Sequence, residues 1–178
     1  MIYFVTGNKG KFAEAQAILG EVVQKNIGYI EIQADGLEEV AVFGMKEVLE
    51  RLDGPVMIED AGMFVEGLNG FPGIYSAYVF DTVGNEGILR LTEGMEDRKA
   101  VFRSVVGYAE PGFDPVLFNG ALRGEITQEP RGTGGFGYDP IFEVRGRTIA
   151  EMSLEEKNEI SHRAVAIRAL KEWLASRR

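Results

Sequence analysis

The sequence predicts an α/β fold: a mixed sheet flanked by helices, built as a single two-lobed domain around a groove over residues 1–178. Three observations carry this. Apolar runs reading strand, helix, strand, helix, strand fill the chain up to Ile58, the order of a layered α/β arrangement. Two alternating runs, Lys99–Glu110 and Pro115–Ile126, flank a turn containing Pro111 and Gly112, as antiparallel strands do, which makes the sheet mixed. The chain closes on an amphipathic run through Ile167, Leu170 and Leu174, with Trp173 adjacent.

The elements follow in order. Ile2–Val5 is a β-rich run that stops at Thr6-Gly7-Asn8. Phe12, Ala15 and Leu19 recur at helical spacing, with Gly20 placed as a stop. Tyr29–Gln33 reads as a second strand. Leu37, Val40, Ala41, Gly44, Val48 and Leu52 mark one face of a second helix, ended by Asp53-Gly54. Val56–Ile58 is a buried strand running into Glu59 and Asp60. The stretch "GLNGFPGIYSAYV" reads as a structured loop leading into a helix, and Ile88, Leu89 and Leu91 as a short helix ended near Gly94. Ser153 followed by Glu156 fits a capping box.

Composition narrows the chemistry. The net charge of −9 gives no long-range attraction for nucleic acid, so no nucleic-acid partner is expected. The absence of cysteine removes disulfides, thiolate zinc sites and cysteine nucleophiles, and the single histidine, His162, removes multi-histidine metal sites. A metal would need oxygen ligands, which points to Mg²⁺ or a similar hard cation. No basic leader precedes the first strand and no apolar run reaches membrane-spanning length, so the expectation is a cytoplasmic protein with no membrane partner.

Four stretches have the residues for chemistry. "TGNKGK" is a glycine turn between strand and helix, but its spacing is not that of a P-loop. N–H groups at a helix start together with Lys9 and Lys11 would hold an anion; a tight turn with two solvated lysines is an equal reading. Glu59 and Asp60 lie where a strand meets the ligand edge of an α/β sheet. Because successive strand residues face opposite ways, at most one enters a given cleft. Such an acid could hold Mg²⁺ or activate water, or simply be exposed, and Glu31 has the same two readings. In "GGFGYD", glycines admit a flat ligand, Phe136 and Tyr138 offer stacking faces, and Asp139 offers an acceptor. Lys157, His162 and Arg163 put basic groups near the start of the last helix, where an anionic ligand or plain surface exposure would explain them.

In order and spacing, "FVTGNKGK", "EIQ", "IEDAGMFVEGLNGFPGIYSAYV", "GGFGYDPIF" and "EKNEISHR" resemble the inosine triphosphatase family, the Ham1-like purine nucleoside triphosphate pyrophosphatases. The resemblance covers nearly the whole chain. It implies a nucleotide in the cleft between two lobes, and hydrolysis of ITP, dITP and XTP to monophosphate and pyrophosphate with Mg²⁺. It also implies a homodimer and a role in cleansing the nucleotide pool.

Position by position, the resemblance implies that Thr6, Gly7, Asn8, Lys9, Gly10 and Lys11 form a substrate loop. Glu31 and Asp60 would be metal ligands, with Asp60 also the proton acceptor and Ala61 a substrate contact beside it. Phe136, Gly137, Tyr138 and Asp139 would recognise the base, Asp139 accepting from a purine N1–H. Lys157, His162 and Arg163 would complete the substrate contacts. The chain departs from the family pattern at Ala61, where Ser or Thr is common, and at Ile74, where Pro is common. Gly44 stands where many members carry a lysine, and Lys46 lies about 200° around that helix. Two alternatives remain, a non-catalytic nucleotide sensor and a pyrophosphatase of broader nucleotide specificity.

Overall fold

A computed structural model describes residues 1–177. The elements are β1 (Ile2–Val5), α1 (Lys9–Leu19), β2 (Val22–Lys25), α2 (Leu37–Leu49), β3 (Val56–Val65), α3 (Ser76–Leu91), β4 (Lys99–Ala109), β5 (Val116–Ile126), β6 (Phe142–Val144), β7 (Arg147–Thr148), α4 (Leu154–Ile160) and α5 (His162–Ser176). Among the described residues the strands form one sheet in the order β2-β1-β3-β4-β5-β6-β7. β1 pairs in parallel with β2 and with β3, whereas β6 is antiparallel to both β5 and β7. The sheet is therefore mixed, as the sequence predicts.

Four boundaries differ from expectation, each for a local reason. The second strand is Val22–Lys25, not Tyr29–Gln33. Gly20, at φ 80°, turns the chain straight back so that Val22 registers beside Ile2. The 27–31 stretch finds its partners in side chains instead: Arg51 donates to the Ile27 and Gly28 carbonyls, and Glu47 accepts from Ile30 N–H. β3 does not stop at Glu59 and Asp60 but runs on to Val65, so the acids sit mid-strand. α3 begins at Ser76 and covers the run expected to be a short helix, breaking stride at Gly84 (φ 61°, ψ −165°). Ser161 is extended (ψ 149°) and separates α4 from α5, so Lys157 and His162 belong to different helices.

The chain divides into two compact units, the first comprising Met1–Asp60, Ser104–Gly120 and the residues from His162 onward, the second Ala61–Arg103 and Ala121–Ser161. In the first, Phe4, Met57, Val106, Phe118, Ile167 and Leu170 form a core between the strands and the α1/α5 pair, with Trp173 edge-on to Tyr108 and Phe118 at 5.7 Å. α2 buries Leu37, Val40, Ala41, Gly44 and Val48 of its predicted face together with Met45, and ends at Leu49, before Leu52. In the second, Met63, Val65, Phe102, Tyr138, Ile141 and Phe142 cluster with Val79 and Ile88 of α3.

Gly120 marks the tightest approach of α5 to β5. A Cβ there would lie 1.9 Å from the His162 carbonyl oxygen and 2.8 Å from the Ala166 nitrogen, both rigid backbone. Gly120→Ala is expected to lower stability by about 3 kcal/mol, read as a fall in the urea midpoint with the slope unchanged.

Candidate active site

β3 sends its two acids to different environments, as alternation along a strand requires. The Glu59 carboxylate is fully enclosed. Lys11 of α1 reaches it at 2.8 Å and donates to the Glu59 carbonyl at 3.1 Å. Arg163 Nε of α5 lies at 3.1 Å, and the Ser104 hydroxyl donates at 2.5 Å. Arg163 also donates to Glu14 of α1 at 2.9 Å, and both of those side chains are buried. Burial works to raise the Glu59 pKa, but the nearby Arg163 and Lys11 outweigh it and hold the carboxyl well below the usual range. Arg163 in turn is held above its ordinary value: burial opposes its charge, and Glu59 and Glu14 overcome that. Removing one member of such a cluster leaves an uncompensated charge, at a cost of about 3–5 kcal/mol.

Asp60 is buried with much less support. The Tyr29 hydroxyl donates to its Oδ1 at 3.0 Å, and its buried Oδ2 has no hydrogen-bond partner among the described residues. Burial is the main cause that pushes this carboxyl up to about 7. Lys11 and the Tyr29 hydrogen bond pull it down, while Glu59 and Glu31 add to the rise. Tyr29 is itself held well above its ordinary pKa by burial and by Asp60, so its phenol remains a donor. The result is adjacent carboxylates with opposite fates, one fixed as an anion and one poised near neutrality, the pattern that separates structural from proton-accepting acids.

A divalent cation fits this arrangement. The unpartnered Oδ2 of Asp60 is an open acceptor, and Glu31, exposed on the 27–31 stretch, is near enough to act electrostatically on Asp60. No group of three acids or histidines with metal-holding geometry occurs among the described residues.

The "TGNKGK" turn departs from the open anion grip that the sequence allowed. The Asn8 side chain accepts from Gly10 N–H at 2.8 Å and Lys11 N–H at 3.0 Å, and Thr6 Oγ1 accepts from Asn8 N–H. Asn8 is thus the N-cap of α1, and its side chain takes the Gly10 and Lys11 N–H groups, two of those at the helix start. Lys9 is exposed; Lys11 is partly buried against Glu59.

In the second unit, Asp139 Oδ2 accepts from Phe136 N–H at 2.8 Å and from Lys157 Nζ at 2.7 Å, and the Lys157 ammonium lies 4.3 Å from the centre of the Phe136 ring. Gly135, at φ 67°, permits this closure, since a Cβ there would meet Asp139 Oδ2 at 2.1 Å. Two expectations change. Tyr138 offers no stacking face: its ring is in the core, edge-on to Phe80, with its hydroxyl donating to the Ser76 carbonyl. Asp139 is buried rather than open, its Oδ2 engaged by its own loop and by Lys157. Phe136 and Gly137 are half-buried, with Asn85 donating to the Gly137 carbonyl. Ala61 follows Asp60 in β3, half-buried. His162 and Arg163, for which the sequence left ligand contact and surface exposure both open, are 5% and 3% exposed.

Sequence reasoning missed Glu14, Tyr29 and Ser104, and undervalued Glu59. Glu14 left a signal, an acid one turn after Lys11 beside buried Ala15. Ser104 and Tyr29 left none, because their partners are distant in sequence.

Residues 2–173 match the profile of the Ham1 family. The chain belongs to that family. It is 56% identical to a protein of Methanopyrus kandleri named dITP/XTP pyrophosphatase, over 97% of this chain and 95% of that one. It is 51% identical to one of the same name from Methanosarcina acetivorans, over 99% and 98%. Among solved structures it resembles the Ham1 protein of Staphylococcus aureus, with a TM-score of 0.87 and 31% identity over the whole of both chains. It also resembles a Ham1 protein from Coxiella burnetii, with a TM-score of 0.87 and 32% identity over 98% of each.

The raised Asp60 pKa has a signed consequence. The folded chain keeps a proton on Asp60 up to about pH 7, whereas the unfolded chain loses it near pH 4. Stability is therefore lost as pH rises between these values. Asp60→Asn, which keeps an acceptor for Tyr29, should stabilise the protein by about 2 kcal/mol or more at pH 8 and by much less at pH 4.5. Denaturant midpoints at both pH values check it.

Proposed function

We propose that this chain hydrolyses deaminated purine nucleoside triphosphates (dITP, XTP and ITP) to the nucleoside monophosphate and pyrophosphate, cleansing the nucleotide pool. The observation that carries the reading is the divided acid pair of β3, with Asp60 near neutrality beside Lys11 and Glu59. Relatives matched over nearly their full length are named dITP/XTP pyrophosphatase, which supports the same substrates.

Asp60 and Glu31 would hold Mg²⁺, which when bound would neutralise charge on the phosphate oxygens. The residues do the rest. Asp60 accepts the proton of a water as its oxygen attacks the α-phosphorus, the bridging α–β P–O bond breaks, and pyrophosphate leaves. Lys11, anchored by Glu59, brings a positive charge at low reorganisation cost, and Lys9 is free to meet the terminal phosphates. Phe136 supplies the face for the purine, while Asp139 and Lys157 keep its loop in shape. Selectivity would rest on groups that match the 6-oxo, N1–H edge, which adenine lacks. A cytoplasmic homodimer is part of the proposal, the dimer from the family resemblance.

The sensor reading rested partly on Gly44 lacking a lysine, and Tyr29 now accounts for that position: a Cβ at Gly44 would meet the Tyr29 ring at 2.5 Å. Pyrophosphate release should be measured with XTP, dITP, ITP, GTP and ATP, with and without Mg²⁺, products identified by mass. The expected preference for XTP, dITP and ITP over ATP is roughly 100-fold or more, with release dependent on the metal. Equal rates with ATP would favour the broader pyrophosphatase, and binding without release the sensor.

A further inference from the structure

We propose that Tyr29, seated on Gly44, is a positioning residue that fixes the Asp60 carboxylate for metal and water. This rests on the reaction proposed above. Three observations converge on it.

Tyr29 is the only hydrogen-bond donor to the Asp60 side chain among the described residues, through Oδ1, and it leaves Oδ2 open. A donor on one oxygen restricts rotation of the carboxylate and directs the other oxygen to its ligand, as outer partners of metal ligands do. Tyr29 lies outside any strand, so its placement must come from elsewhere, and α2 provides it. Arg51 holds the carbonyls of Ile27 and Gly28 at 2.8 Å, and Glu47 holds Ile30 N–H at 2.8 Å, pinning the chain on both sides of Tyr29. Between these clamps the ring lies against Gly44, where the missing side chain makes room. A Cβ there would come within 2.5 and 2.7 Å of the ring carbons Cδ2 and Cε2. Glycine mid-helix lowers helix propensity, and here it admits the ring. Glu31, two residues on, shares the same mount.

Two substitutions attack the same contact from opposite ends. Tyr29→Phe keeps the ring and deletes the hydroxyl; Gly44→Ala keeps the hydroxyl and displaces the ring. Binding of Mn²⁺ by the nucleotide-free protein, followed by electron paramagnetic resonance, is a readout separate from turnover. Each variant should weaken Mn²⁺ binding by about tenfold and lower kcat with ITP more than it raises KM. The double variant should be no worse than the worse single one, since both remove one hydrogen bond.

A residue that only fills space would leave Tyr29→Phe like the wild type and show its effect in the melting temperature of Gly44→Ala. That pattern, additive losses in the double variant, or a wild-type chain that does not bind Mn²⁺ would overturn the inference. A wild-type chain that binds Mn²⁺ but hydrolyses none of the triphosphates, with both variants binding more weakly, would overturn the proposed reaction and leave the positioning role standing.

Discussion

The ion cluster around Glu59 is the constraint from which the chemistry of the first unit follows. One carboxylate buried in the middle of β3 draws Lys11 from α1, Arg163 from α5 and Ser104 from β4, and Arg163 recruits Glu14 from α1 as well. Burying these charges is costly unless each is paired, and here the pairing comes from three elements remote in sequence. The cluster also fixes α1 against α5 at a defined depth, and so fixes where Lys11 can stand. Gly120, with no room for a methyl group, belongs to the same close packing of α5.

Asp60 is the counterpart. Its neighbour on β3 has taken Lys11 and Arg163 as direct partners, and burial without such pairing raises its pKa. A carboxyl buried with so little support costs local stability, and in the proposed reaction that cost would serve proton acceptance. Tyr29 limits that instability with a single hydrogen bond. Its position depends on the glycine of α2 that looked like a lost phosphate contact when only family pattern was considered.

Local patterns in the sequence were legible. The α1 stop at Gly20, the buried face of α2, the alternating runs of β4 and β5 and the Ser153 capping box all followed from periodicity and cap chemistry. The candidate site was proposed from a resemblance spread over the chain, because each stretch read alone was weak. What could not be read was partnership. Nothing near Asn8 announces that its side chain takes the very N–H groups a phosphate would want. Nothing near Asp139 announces Lys157 eighteen residues on. Tyr29–Gln33 has strand-like composition, yet β1 offers its edge to Val22–Lys25 first, and the later stretch is left to side-chain partners on α2. For Lys157, His162 and Arg163 the sequence offered ligand contact or surface exposure, not burial, because burial of charge depends on acids that the local sequence does not show.

The division of labour between the two adjacent acids can be measured directly. Carboxyl ¹³C chemical shifts of Glu59 and Asp60, followed by NMR in the metal-free protein from pH 3 to pH 9, report each ionisation separately. The account predicts that Glu59 stays ionised down to the acid end of the range while Asp60 titrates at about 7. Two carboxyls that both titrate near 4, as exposed acids do, would contradict it.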